Sequence, residues 1–237
     1  MNSRMIIPLS VLCLCLAGCF KTSQPIERAP YRGPLVTGPN DKLPPGIKPK
    51  PKIVKGPLGA PDNPIPRSRW AGAKPDLSNI NPMTPINRIT IHHDGLPGLF
   101  ISSDPNDTAG RIELIRHRHR NANGWADIGY HYVIDREGRL WQARNVKYQG
   151  AHVKDENEGN LGILVLGNFQ VQKPKPKQVR ALKKAIVYFQ AKYQVPIERV
   201  YTHGELGVTS CPGAALQQYV NAIRTEVATE SKTATAE

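Results

Sequence analysis

The sequence predicts a single α/β domain in which a central mixed β-sheet is flanked by about three α-helices. Two observations carry this. Short segments with strand-like patterning recur at 86–93, 129–135, 139–143 and 161–166. Between and after them lie stretches whose apolar residues repeat at helical spacing, at 110–120, 177–193 and 214–228. Strands interleaved with helices favour a layered sheet covered by helices rather than a bundle or a sandwich of sheets.

Each element has its own signal. In 86–93, Ile89 and Ile91 share one face and Thr90 and His92 the other, the period of a strand. The segments 129–135 and 139–143 are joined by Asp135-Arg136-Glu137-Gly138, a turn-rich tetrapeptide that predicts a hairpin. The run 161–166 is continuously apolar but for Gly162, as in a strand buried on both faces. Val179, Leu182, Ile186 and Phe189 form one helical stripe, and Leu216, Tyr219, Val220, Ile223 and Val227 another. A short strand at 199–202 leads into His203. The domain is expected over 66–229, with 230–237 a disordered tail.

The N-terminus reads differently. Arg4 precedes an apolar run, 5–16, that ends in Leu16-Ala17-Gly18-Cys19. The run is too short to span a bilayer comfortably and reads as a secretory signal over 1–18. Its ending resembles the lipobox of bacterial lipoproteins, which implies acylation of Cys19 and anchorage to a membrane. Phe20 follows, rather than the Asp associated with inner-membrane retention, so an outer-membrane anchor facing the periplasm is expected. Residues 19–65 hold the lipidated Cys and a Pro- and Lys-rich segment with no strand or helix periodicity, expected as a disordered tether.

The chain carries a formal net charge of +13. Residues 20–69 contain ten Lys/Arg against three Asp/Glu, so more than half of the excess lies within the first 69 residues, in and just past the expected tether. A nucleic-acid binder would concentrate that charge on the folded part, so no nucleic-acid partner is expected. The basic tether suits an anionic lipid or wall polymer.

Four cysteines are present, Cys13, Cys15, Cys19 and Cys211, and only Cys211 lies within the domain. It joins His92 and His203 at or just past strand ends, where separate segments can converge. Two imidazoles and a thiolate suit zinc and leave a fourth position for water. Adjacent His92 and His93 point to opposite faces of their strand, so only one enters such a site, and residue chemistry does not choose between them. His117 and His119, within Arg116-His117-Arg118-His119-Arg120, are expected on a solvated helix face.

Several blocks occur in order: Arg67-Ser68-Arg69-Trp70, Ile91-His92-His93, 124–131 (GWADIGYH), Gly150-Ala151-His152, Leu161-Gly162-Ile163 with Gly167-Asn168-Phe169, and His203 through Cys211-Pro212-Gly213. Together they resemble the peptidoglycan recognition protein and type 2 N-acetylmuramoyl-L-alanine amidase family, over about residues 66–225. The resemblance implies a peptidoglycan recognition protein-like fold and Zn²⁺ held by His92, His203 and Cys211. It implies catalytic roles for Tyr130 and Thr209, and His152 and His93 lining a groove for peptidoglycan or muropeptide. The activity it implies is cleavage of the amide between N-acetylmuramic acid and L-alanine, by a chain expected to be a monomer. Two departures stand out. The family's His-Arg-Asp is His203-Gly204-Glu205 here, and Leu164 occupies the position where some bacterial members carry a catalytic Glu.

Overall fold

The computed structural model describes residues 59–234. The expected signal, Cys19 and most of the expected tether lie outside the described residues. The strands are β1 (Arg88–His93), β2 (Tyr132–Ile134), β3 (Leu140–Gln142), β4 (Asn160–Val165) and β5 (Val200–Thr202). The helices are α1 (Pro105–Asn123), α2 (Pro176–Tyr193), the one-turn α3 (His203–Leu206) and α4 (Ala214–Ala234). The sheet order is β3-β2-β4-β1-β5. All neighbours are parallel except the β2–β3 hairpin, so the expected mixed sheet is present. None of the described helices is long and apolar enough to cross a membrane.

Two apolar layers sandwich the sheet. Ile89, Ile91, Leu161, Ile163 and Val165 face α2 and α4, meeting Leu182, Ile186, Phe189, Leu216, Val220 and Ile223. The other face packs Val133, Trp141, Leu164 and Leu166 against Ala109, Ile112 and Ile115 of α1, with Trp70 closing the layer. The alternation read from 86–93 therefore holds: Thr90 and His92 share the α1 side. Leu164, fully buried there, is a core residue.

Three boundaries differ from expectation. The first helix starts at Pro105 rather than Gly110, because Asp104 caps it, its side chain accepting from the Asn106 amide at 2.6 Å, and proline fits the first turn. The last helix runs to Ala234, so residues 230–234, expected in the disordered tail, are helical. Lys183 of α2 holds its end through Glu226 at 2.6 Å and Glu230 at 2.7 Å. At the other end, residues 59–65, expected within the tether, lie along β3. The Ile65 amide donates to Leu140 O at 2.8 Å, the Gln142 amide to Ile65 O at 2.8 Å, and the Leu140 amide to Gly59 O at 3.1 Å. An edge strand leaves such groups unpaired, and this segment satisfies them. Any side chain at position 59 would strike Leu140 O, since a Cβ there would stand 2.3 Å away.

His119 corrects a further expectation. Rather than a solvated helix face, it occupies the space between Trp125 and Tyr130, with ring centroids 4.7 and 5.5 Å away, and its Nδ1 accepts from the Gly129 amide at 3.0 Å. Burial holds its pKa down to about 3. His131, fully buried in the approach to β2, accepts from the Gly162 amide at Nδ1 and donates from Nε2 to Tyr148 O, each at 3.0 Å. Burial holds it at about 4.

The hairpin turn depends on Asp135. Its carboxylate is fully buried and accepts from the Glu137 and Arg139 amides at 2.9 Å, from the Arg139 guanidinium, and from Trp141 Nε1 at 2.9 Å. Asp135→Ala strands these donors and should cost about 3–5 kcal/mol, lowering the melting temperature by on the order of 10 °C. A change of only a degree or two by calorimetry would refute this accounting.

A second expectation concerns pH. His119 and His131 are neutral when folded, but their unfolded forms take up protons below about 6.5. Their contribution is therefore complete above pH 6.5 and is lost as pH falls toward about 4 and about 3. Melting temperature should fall across pH 6.5 to 4, and His119→Gln should flatten that slope. An unchanged slope in the variant would show that His119 is not buried neutral.

Candidate metal centre

The register of the sheet assembles the site. β1 and β5 run parallel, with Ile91 opposite Thr202, so the next residues, His92 and His203, emerge side by side at the same sheet edge. Their ring centroids are 4.7 Å apart. Thr202 caps α3 in partnership with Glu205, whose carboxylate accepts from the Thr202 amide at 2.7 Å and pairs with Arg224 at 2.7 Å. His203 is thereby fixed at the start of a turn. Cys211 arrives on the loop before α4, with Sγ 3.7 Å from His92 Nδ1 and accepting from the His93 amide at 3.4 Å. One donor atom from each of His92, His203 and Cys211 fits within 4.8 Å of the others.

This loop is pinned from below. The Cβ that any other residue would place at Gly213 would lie 2.5 Å from the Phe169 backbone, so only glycine allows the loop this close. Gln170 donates to Ser210 O at 3.1 Å, and the Ala215 amide donates to Phe169 O at 3.2 Å. Gly204 explains one departure from the family pattern. A Cβ there would come within 2.9 Å of Cys211 O, so a bulky Arg has no room beneath this loop.

The donor set suits a borderline-soft cation. Burial drives the His92 pKa well below its ordinary value, with neighbouring His152 and His203 adding to the effect, and burial lowers His203 as well. Both imidazoles thus offer lone pairs. Burial pushes the Cys211 thiol up to about 12, against the opposing pull of the His93 amide, so a cation is what would favour its thiolate. His92 is fully buried while His203 and Cys211 are partly exposed, so the centre opens to solvent on their side. Two imidazole nitrogens and one sulfur match zinc's preferences.

Other expected site residues fall into place unequally. Tyr130 sits beside His92, ring centroids 5.0 Å apart, and burial raises its pKa so that the phenol stays protonated. Thr209 is exposed, and its hydroxyl accepts from the Cys211 amide at 3.2 Å, bracing the loop. His93 is 6% exposed and turned to the other layer, where its Nδ1 accepts from the Phe169 amide at 3.1 Å. His152 is 6% exposed and stands behind His92, with Nδ1 3.0 Å from His92 Nε2. In both cases strand and loop geometry turns a polar ring inward, where it satisfies buried donors.

Two contributors were not singled out from the sequence. Asp94 follows the His pair, and its fully buried carboxylate pairs with Arg111 of α1 at 3.0 Å. Its charge reaches both Tyr130 and Cys211, raising their pKa values further. Its position next to His93 was the available signal. His119, which backs Tyr130, was hidden by the arginines around it.

A family model described as N-acetylmuramoyl-L-alanine amidase matches residues 82–214. The N-acetylmuramoyl-L-alanine amidase of Sus scrofa is 30% identical over 154 residues, covering 64% of this chain and 25% of that protein. The chain spans only about a quarter of the length of the mammalian relatives it matches. Peptidoglycan-recognition protein SC2 of Drosophila melanogaster is 29% identical over 166 residues, covering 68% of this chain and 84% of the fly protein. Among solved structures, bumblebee PGRP-SA superposes with a TM-score of 0.60 at 28% identity, covering 66% of this chain and 92% of the other. The amidase LysC from Clostridium intestinale shares the fold, with a TM-score of 0.54 at 21% identity over 67% of this chain and 95% of its own. The match from residue 82 to residue 214 takes in more than half of the chain and all three clustered donors, and the chain belongs to the N-acetylmuramoyl-L-alanine amidase family.

Proposed function

We propose that the protein is a zinc-dependent N-acetylmuramoyl-L-alanine amidase acting on peptidoglycan or its muropeptides. The observation that carries this reading is the cluster of His92, His203 and Cys211 within 4.8 Å, with Tyr130 packed against His92. Relatives that are named amidases, and peptidoglycan-recognition proteins such as a fly PGRP-LB variant in complex with tracheal cytotoxin, support the substrate class.

The residues divide the work. His92 and His203 present neutral nitrogens and Cys211 a sulfur, and together they would hold the ion. When bound, zinc supplies a Lewis acid for the amide carbonyl and a water with pKa lowered toward about 7. The Tyr130 phenol, kept protonated by burial, donates to the oxygen that gains charge as the amide carbon becomes tetrahedral. Thr209 holds the Cys211 loop by accepting its amide, which leaves its own hydroxyl proton available to a substrate carbonyl. Leu164 offers no carboxylate, so the phenol and the ligand set carry the chemistry without that base.

On the same reading the chain is a bacterial lipoprotein, acylated at Cys19 and anchored in the outer membrane. Cys19→Ser should move the protein from the membrane fraction to the soluble fraction. Retention in the membrane would refute the anchor without touching the active site.

Purified, zinc-loaded protein incubated with muropeptides should release free stem peptide, detected by mass spectrometry. Tight binding without release would identify a recognition module instead, and cleavage within the stem would identify a peptidase. Cys211→Ala should lose zinc and cleavage together, and full activity in it would remove the metal assignment. Tyr130→Phe should keep zinc but lower kcat by about 10²–10³-fold. An unchanged rate would take Tyr130 out of the mechanism.

A further inference from the structure

His152 lies at the middle of a hydrogen-bond chain that starts at a backbone carbonyl and ends on His92. Its Nε2 stands 3.1 Å from Asn160 O, and a carbonyl can only accept, so Nε2 carries the proton. A neutral ring protonated there has its lone pair on Nδ1, which faces His92 Nε2 at 3.0 Å. His92 Nε2 must then donate. That leaves the His92 lone pair on Nδ1, the atom facing Cys211 Sγ.

We propose that His152 is a positioning residue: by accepting the Nε2–H of His92 it selects the tautomer and the ring orientation that aim His92 Nδ1 at the ion. The proposal rests on the zinc centre proposed above.

The surroundings of His152 favour this role over simple filling. Two glycines form a slot for its ring. A Cβ at Gly150 would come within 2.5 Å of His152 Cδ2, and one at Gly162 within 2.6 Å of the same atom. Neither glycine has positive φ, so close approach, not backbone freedom, requires them. The slot is tied down on both sides. Asn157 Oδ1 accepts from the His152 and Val153 amides at 2.8 and 2.9 Å. Asn160, which supplies the carbonyl, receives Thr90 Oγ1 at 2.8 Å and donates to Glu156 O at 2.7 Å. Thr90 stands two residues before His92 on the same face of β1, so the chain closes on the strand that presents the ligand. A ring needed only for volume would call for none of these polar fixtures. Partners behind a metal-bound imidazole fix its tautomer and raise its basicity.

Three measurements test this. Nitrogen-15 NMR of the metal-free wild-type protein should find His92 and His152 both protonated at Nε2, and a His92 protonated at Nδ1 would overturn the proposal. His152→Phe keeps an aromatic ring but removes the acceptor, and its zinc dissociation constant, from competition with a chromophoric chelator, should rise about 10–100-fold. His152→Gln, whose amide can both accept and donate, should recover most of that loss. Equal zinc affinity in wild type and a natively folded His152→Phe would overturn the proposal. If His152→Phe does not fold, the tautomers decide, together with the Gln variant, whose affinity should stay near wild type. A wild-type chain that takes up no zinc would remove the metal centre itself and with it this role. The tautomer readout separates that outcome from a missing hydrogen-bond chain.

Discussion

Neighbouring residues on a strand face opposite layers, and at the end of β1 this rule allots two adjacent histidines to different tasks. His92 turns toward the α1 layer and the donor cluster. His93 turns toward the layer of α2 and α4 and receives the Phe169 amide. The His93 backbone amide meanwhile points at Cys211 Sγ. One dipeptide therefore contributes a donor nitrogen, an anchor for the turn beneath the Cys211 loop, and a hydrogen bond to the sulfur. The parallel register with β5 adds His203 at the same edge. Slipping β1 by one residue would exchange the two rings and undo all of these at once.

The electrostatics around this edge follow one pattern. His119, His131 and His152 are held neutral by burial, and their nitrogens meet backbone groups or another imidazole. Permanent charges in the same region come in pairs, with Asp94 on Arg111 and Asp135 on Arg139. Uncompensated charge is thus kept away from a site whose own donors are uncharged until an ion arrives. Among the described residues, Arg144 and Arg136 are buried cations bonded to no carboxylate, Arg136 meeting Gln178 Oε1 instead. Arg144 lies nearer Tyr130. It is held by the Ile128, Asp127 and Gln149 carbonyls, and burial lowers its pKa to about 10.

Much of this was legible in the sequence. Apolar patterning and turn signals located the described strands and long helices, because burial on one or two faces leaves a direct imprint on composition. The ordered motif blocks identified His92 over His93, a choice that spacing alone left open. Less legible was anything decided by the far side of a contact. His119 sits among arginines, so its own neighbours gave no sign that Trp125 and Tyr130 would cover it. For His152 the family resemblance implied a place by the substrate, but its bond to His92 depends on a slot between Gly150 and Gly162 that exists only after folding. The pairing of residues 59–65 with β3 escaped for a related reason: proline-rich composition argued for disorder, while the open edge of β3 supplied backbone partners that local sequence cannot reveal.

That docked entry segment has a mechanical consequence. It joins the sheet at β3, one edge, whereas the donors rise from β1 and β5 at the opposite edge. Tension on the chain ahead of Gly59 would load the backbone bonds to Leu140 and Gln142 first. Two strands, β2 and β4, separate those bonds from β1. A pull from upstream could strip residues 59–65 from the sheet as a sacrificial clasp before the geometry around His92 is disturbed.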